Sequence, residues 1–370
     1  MLDARVPPTE RGKAQVAPVP MPAALRDRIG QMIMVGFRGI TPLEAAPTIR
    51  HIANGLVGAL VLYDMDAETG GPRNIQSREQ LRELLAEIKA ASEIPVLVSV
   101  DAEGGFYHRL KEKYGFSPAT PAAVLGEQDD LAATHSAAAT VAAELADVGI
   151  DLNLAPVVDL LNPANLTVSA RRRSFSSEPA AVAAHAREFI LAHRERGVLT
   201  TAKHFPGMGG VLRPYSPGLG ERIEAWSPRE LEPYRALNGE GLLDAVLITR
   251  VTYADLDPDS PACLSPNIVN GVLRGEIGFD GVVISDPLEM LAIWDVYGFE
   301  RGTIMAINAG IDLLMYCNES GILPYSDERA PDAVQVIVDA VGRGEIAESR
   351  IDEACRRILA LKSRRRTVAS

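Results

Sequence analysis

Eight short apolar runs, separated by stretches of helical pattern, constrain this chain more than any other feature. The runs are QMIMVGF from Gln31, GALVLY from Gly58, PVLVSVD from Pro95, DLNLAPVVD from Asp151, TTAKHF from Thr200, AVLITRV from Ala245, GVVISD from Gly281 and IDLLMYC from Ile311. They are rich in β-branched residues and apolar at nearly every position, as strands buried on both faces of a parallel sheet must be. Between them, Arg78 to Ala91 places Leu81, Leu84, Leu85 and Ile88 on one helical face. Pro179 to Arg196, Pro228 to Gly239 and Arg301 to Ala309 also read as helices, and alanine-rich Ala132 to Ala146 has the composition of a strong helix. Eight strands with intervening helices predict an α/β fold, a (β/α)8 TIM-type barrel formed as a single domain over residues 23–370. The other candidate, a doubly wound open sheet, usually has fewer strands and a glycine-rich first turn. No Gly-x-Gly-x-x-Gly follows Phe37, and Walker-type and zinc-helix motifs are missing too.

At 370 residues the length alone would allow two domains, yet no Gly/Ser- or proline-rich linker divides the chain. Residues 1–22, dominated by proline and charge, read as a flexible arm. With 47% hydrophobic and 23% charged residues, the rest has ample material for a large core. A net charge of −12 argues against a nucleic-acid partner. No window supplies the roughly 18 apolar residues of a membrane helix, and the first residues lack the apolar stretch of a secretory signal. Cys263, Cys317 and Cys355 are too few and too scattered for a disulfide framework. A cytoplasmic protein with a small-molecule partner and no membrane association is expected; oligomeric state is left open.

In such a barrel the chemistry gathers at the C-terminal ends of the strands. The third run ends in Asp101-Ala-Glu103-Gly-Gly105. The fourth ends at Asp159, before a loop carrying Arg171, Arg172 and Arg173. The fifth carries Lys203 and His204, the sixth Thr249 and Arg250, and the seventh ends in Ser285-Asp286. Singly, each has a plain structural reading: Asp286 as a helix cap, Asp101 as a turn residue, Lys203 and His204 as partners of nearby carboxylates. Together they suit a polyhydroxylated neutral ligand, whose hydroxyls charged side chains hold by strong hydrogen bonds. A carboxylate such as Asp286 is then placed to attack or stabilise a cationic sugar centre. No Cys/His metal set appears, so neither a metal nor a cofactor is expected.

The stretches VDAEGGFYHRL, DLNLAPVVDLL, RRRSFSSEP, TTAKHFPGMGG and GFDGVVISDPLEM resemble the markers of glycoside hydrolase family 3, in order and over roughly Leu25 to Lys362. Within it the chain is most similar to the single-domain bacterial β-N-acetylglucosaminidases. The resemblance implies a TIM-type barrel and a retaining, two-step mechanism. It implies Asp286 as nucleophile, and Asp101, Arg109, Arg173, Lys203 and His204 as the sugar-holding set, with Glu103 as a structural support. Met208 and Arg250 fall at further substrate-binding positions.

The sequence departs from that pattern on the leaving-group side. The Asp-Ser-His loop that supplies the acid/base in this branch corresponds here to Pro214-Tyr215-Ser216. The six histidines are His51, His108, His135, His185, His193 and His204, and only His204 sits in a site motif. Ala102, Phe106, Met208, the Thr249-Arg250-Val251 segment and Pro287 also differ from the family residues. Loss of a general acid/base costs about 10²–10⁴ in rate. Three readings stay open. One is an enzyme acting on an activated glycoside or an external anion, as a transferase or phosphorylase would, with Arg213 and Arg250 as anion binders and Tyr215 or Glu221 as substitute acid. The second is an ordinary glycosidase with an unrecognised acid, and the third a sugar-binding pseudoenzyme. The altered loop suggests a specialised biosynthetic pathway. The conformation of the glycine-rich stretch 208–222 is not legible.

Overall fold

The computed structural model describes residues 19–217, 220–318 and 323–364. Most of the expected N-terminal arm, residues 1–18, lies outside them, as do two residues of the basic run from Arg364 to Arg366. Each of the eight apolar runs contains a strand: β1 (Ile33–Gly36), β2 (Ala59–Leu62), β3 (Leu97–Val100), β4 (Leu152–Asn153), β5 (Leu199–Phe205), β6 (Ala245–Ile248), β7 (Val282–Ser285) and β8 (Leu314–Tyr316). Every residue of these strands is buried, because helices cover one face and the barrel interior the other. The strands pair in parallel in chain order from β1 to β7. β8 pairs with β1, and a bridge between Ile284 and Leu313 closes the ring. The result is the expected (β/α)8 barrel.

The helices lie where apolar spacing placed them. Arg78–Ala90 buries Leu81, Leu84, Leu85 and Ile88, and Ser77 and Gln80 close a reciprocal capping box at its start. Leu131–Val148 and Pro179–Glu195 pack side by side on the barrel wall. Two boundaries differ from expectation: the helix read from Pro228 opens as a 3-10 turn, Pro228–Leu231, and becomes α-helical only at Glu232. The helix read from Arg301 begins at Leu291, and Gly298, at φ 69°, breaks it into two pieces; a left-handed residue is cheap there only because glycine has no Cβ.

The two ends of the barrel differ in chemistry. At the N-terminal end, the fully buried Asp312 accepts from Arg274 (2.7 Å), Arg350 (2.6 Å) and the Val283 amide (3.0 Å), a network that pins helices to strands. At the other end, the loop after β5 forms a β-hairpin, Val211–Ser216 with Gly220–Glu224. Its second strand pairs with Thr252–Tyr253, which in turn pairs with Asp257–Pro261. This four-stranded accessory sheet stands beside the mouth. Among the described residues no helix is long and apolar enough to cross a membrane.

Candidate active site

The mouth holds a cavity of about 210 Å³, below the roughly 300–1,000 Å³ of drug-sized pockets, as suits a single ring. Its wall includes Asp101, Glu103, Arg173, Lys203, His204, Met208, Glu221, Arg250 and Asp286. Eight of the ten residues singled out as catalytic or sugar-binding therefore meet in one place.

On the β3–β5 side, charge pairs run without a break. Lys203 Nζ lies 2.7 Å from Asp101 Oδ1 and 2.6 Å from Glu103 Oε1. Glu103 accepts two parallel bonds from Arg173, both 2.8 Å, the strongest carboxylate–guanidinium geometry. Arg173 Nη2 also lies 3.1 Å from His204 Nε2, while His204 Nδ1 lies 2.8 Å from Asp159 Oδ2. Asp159, fully buried, further accepts the His204 and Met208 amides at 3.0 and 2.9 Å. Burial opposes ionisation of Glu103, but the Arg173 and Lys203 cations outweigh it and hold its carboxyl down at about 2. Burial likewise opposes the charge on Lys203, yet Asp101 and Glu103 push its pKa up. Glu103 is thus the shared counter-ion of two buried cations.

Arg109 falls outside the cavity wall. It lies beside Asp101, 3.8 Å from that carboxylate and 3.3 Å from Asp64, with its guanidinium 5.1 Å from the ring centre of the cavity-lining Tyr63. Its neighbour in sequence, His108, is buried, and burial takes it down to about 4. Of the six histidines only His204 reaches the cavity.

Across the mouth, Asp286 follows β7. Arg250, after β6, donates to Asp286 Oδ2 from Nη1 (2.8 Å) and from its backbone amide (3.2 Å). The same guanidinium reaches Glu221 on the accessory hairpin, with Nη2 2.9 Å from Oε2. One cation therefore spans two carboxylates, and Asp286 and Glu221 stand on adjacent nitrogens of a single planar group. Tyr215, the other residue offered as a substitute acid, lies on the facing hairpin strand outside the cavity wall, and its hydroxyl donates to Asp295 at 2.6 Å. Side chains alternate faces along a strand, so only some hairpin residues turn inward. Arg213 is exposed and paired with Glu224 at 2.9 Å.

Two features went unseen in the sequence. Glu230, buried below the FPGMG turn, accepts the Leu160 amide at 3.1 Å. A Cβ on Gly207 would lie 2.3 Å from Glu230 Cβ, and one on Gly209 2.0 Å from its Oε1. Both glycines are required by that acid, and their spacing in the motif was the available signal. Burial, and then Asp159, push the Glu230 carboxyl up to about 8. The other feature is the hairpin itself, which brings Glu221 to the cavity.

Known proteins share this architecture. The family model described as "Glycosyl hydrolase family 3 N terminal domain" matches residues 24–361. The chain is 37% identical over 283 residues to a beta-hexosaminidase of Tolumonas auensis, covering 74% of this chain and 79% of that one. It is 36% identical to one from Xanthomonas axonopodis pv. citri, over 78% of this chain and 84% of the relative. Among solved structures, a beta-N-acetylhexosaminidase from Beutenbergia cavernae superposes with a TM-score of 0.79 at 30% identity, over 92% of this chain and 99% of that one. A family 3 beta-N-acetylglucosaminidase from Paenibacillus sp. gives a TM-score of 0.82 at 32% identity over 93% of this chain, which spans only 63% of that longer protein.

Proposed function

The chain belongs to glycosyl hydrolase family 3, and from that premise we propose that it is a β-hexosaminidase-like retaining glycosidase acting on amino-sugar glycosides whose leaving groups depart as stable anions. The observation that carries this reading is the pairing around Arg250: Asp286 and Glu221 share one guanidinium at the rim of the sugar cavity. Hydroxyls of the pyranose exchange into the bonds of Asp101, Lys203, Arg173 and His204, which brings C1 toward Asp286. The Asp286 carboxylate attacks C1, the C1–O bond breaks, and its electron pair leaves with the aglycone oxygen. A glycosyl ester on Asp286 results. Water then attacks C1, Glu221 takes its proton, and the Asp286 carboxylate departs toward the Arg250 cation.

In this reading Glu221 serves as base rather than as acid. A carboxylate that accepts from a guanidinium presents lone pairs and no proton. His204, with Nδ1 at Asp159 and Nε2 at Arg173, has both nitrogens engaged on the sugar-holding side. The anion-acceptor reading loses support, since Arg213 pairs with Glu224 and Arg250 is held by two carboxylates. Three free, buried thiols, Cys263, Cys317 and Cys355, support a reducing compartment such as the cytoplasm. The test compares dinitrophenyl and alkyl β-N-acetylglucosaminides. The aryl substrate is expected to turn over, with the alkyl one slower by about 10²–10⁴ for want of a proton donor. Equal rates on both substrates overturn this reading.

A further inference from the structure

Arg171 differs from the two arginines that follow it. Arg172 pairs with Glu127 at 3.3 Å and Arg173 with Glu103 at 2.8 Å. Among the described residues no carboxylate pairs with Arg171. Its guanidinium instead lies 4.5 Å from the ring centre of Phe106 and 5.3 Å from that of Tyr107, and it donates to the Tyr107 hydroxyl. The two rings meet edge to face at 5.0 Å, so they form a corner that holds the cation's plane. Tyr107 lines the sugar cavity and lies over Arg173 at 4.3 Å. Phe106, on the outer side, is 63% exposed. One ring thus separates Arg171 from the residues that hold the sugar.

We propose that Arg171, set in the corner of Phe106 and Tyr107, is an anion-binding subsite on the rim of the cavity, and that the natural ligand carries a carboxylate or phosphate besides its amino-sugar ring. This rests on the reading of the cavity as a sugar site. A guanidinium with fixed orientation and open donors matches the paired oxygens of a carboxylate or phosphate. The cavity wall gives such a group no other welcome: its four carboxylates, Asp101, Glu103, Glu221 and Asp286, outnumber the cations Arg173, Lys203 and Arg250. β3, which leads to Phe106, stands four staves from β7, so the subsite faces Asp286 across the mouth. The anion belongs either to the far end of the sugar ring or to an aglycone that folds back over it.

Calorimetry on the full chain separates these sources. One arm compares N-acetylglucosamine with its 6-phosphate. The other compares phenyl with 4-carboxyphenyl β-thio-N-acetylglucosaminide, which resist hydrolysis. In at least one arm the anionic member is expected to bind about tenfold more tightly at low salt, an advantage that shrinks as salt rises. Arg171→Gln removes the advantage and leaves neutral binding unchanged. Phe106→Leu, which keeps the charge but removes one wall of the corner, reduces it. No advantage in either arm, or an advantage that survives Arg171→Gln, overturns the proposal. Failure of N-acetylglucosamine and the phenyl thioglycoside to bind overturns the sugar-site reading and the proposal with it.

Discussion

Glu103→Gln tests whether the sugar-holding wall depends on one buried negative charge. The substitution keeps shape and removes the counter-ion of both Arg173 and Lys203, which lie 2.8 and 2.6 Å away. Breaking a buried pair by neutralising one partner costs about 3–5 kcal/mol, because an uncompensated cation stays behind. Proton linkage gives an independent figure. The carboxyl drops from 4.5 to about 2 on folding, a difference worth about 3 kcal/mol at neutral pH. A depressed folded pKa stabilises above the unfolded value and loses that contribution as pH falls through the folded one. The wild type should therefore exceed Glu103→Gln by about 3 kcal/mol at pH 7 and by nearly as much at pH 4.5, and by about half near pH 3.3, midway between the two pKa values. Urea unfolding of both proteins across that range reads the difference directly. A gap below about 1 kcal/mol at pH 7, or one that does not change between pH 5 and pH 3, refutes the argument.

Asp286→Asn is expected to abolish turnover of every substrate, aryl ones included; retained activity would remove it as the nucleophile. Glu221→Gln should slow release of the glycosyl-enzyme by about 10²–10⁴, visible as a burst of aryl alcohol, with azide restoring turnover as a β-glycosyl azide. Glu230→Gln mimics the neutral acid. A carboxyl raised from 4.5 to about 8 in the fold stabilises fully below pH 4.5 and loses that contribution as pH rises to 8. The variant should therefore match the wild type near pH 3.5 and exceed it by a few kcal/mol at pH 9, as measured by urea unfolding. Gly209→Ala, whose new methyl would lie 2.0 Å from Glu230 Oε1 and 2.6 Å from the Leu160 carbonyl, should cost about 1–3 kcal/mol in the same assay.

The barrel was legible because strands buried on both faces can hardly be anything but apolar, and Val282–Ser285 or Ala59–Leu62 stand out from any polar neighbour. The candidate site was legible for a related reason: Asp101 and Asp286 end those runs abruptly, and Lys203 and His204 interrupt one that is otherwise uncharged. What stayed hidden is set by contacts distant in sequence. Glu221 and Tyr215 both lie in the stretch offered for a substitute acid, but which of them turns inward depends on hairpin register, Leu212 opposite Ile223 and Arg213 opposite Arg222. Strand Val211–Ser216 has no buried residue and contains Pro214, so its alternation carries little signal. Arg109 followed the motif to Asp101, yet only the fold shows that it also pairs with Asp64 and stays out of the cavity wall. Nor does anything in the local sequence tie Glu230 to a turn over twenty residues upstream.

The placement of Glu221 on an accessory sheet has a bearing on how such a catalyst can change. Lys203, His204 and Asp286, the proposed sugar contacts and nucleophile, stand on or directly after staves whose backbones are paired on both sides. Glu221, the proposed base, hangs from a ribbon outside the ring of staves, whose backbone pairs with Thr252–Tyr253 of the same accessory sheet. Rewriting that ribbon leaves the ring of staves untouched, so it is the natural place to exchange one leaving-group chemistry for another, by mutation in nature or by grafting in the laboratory.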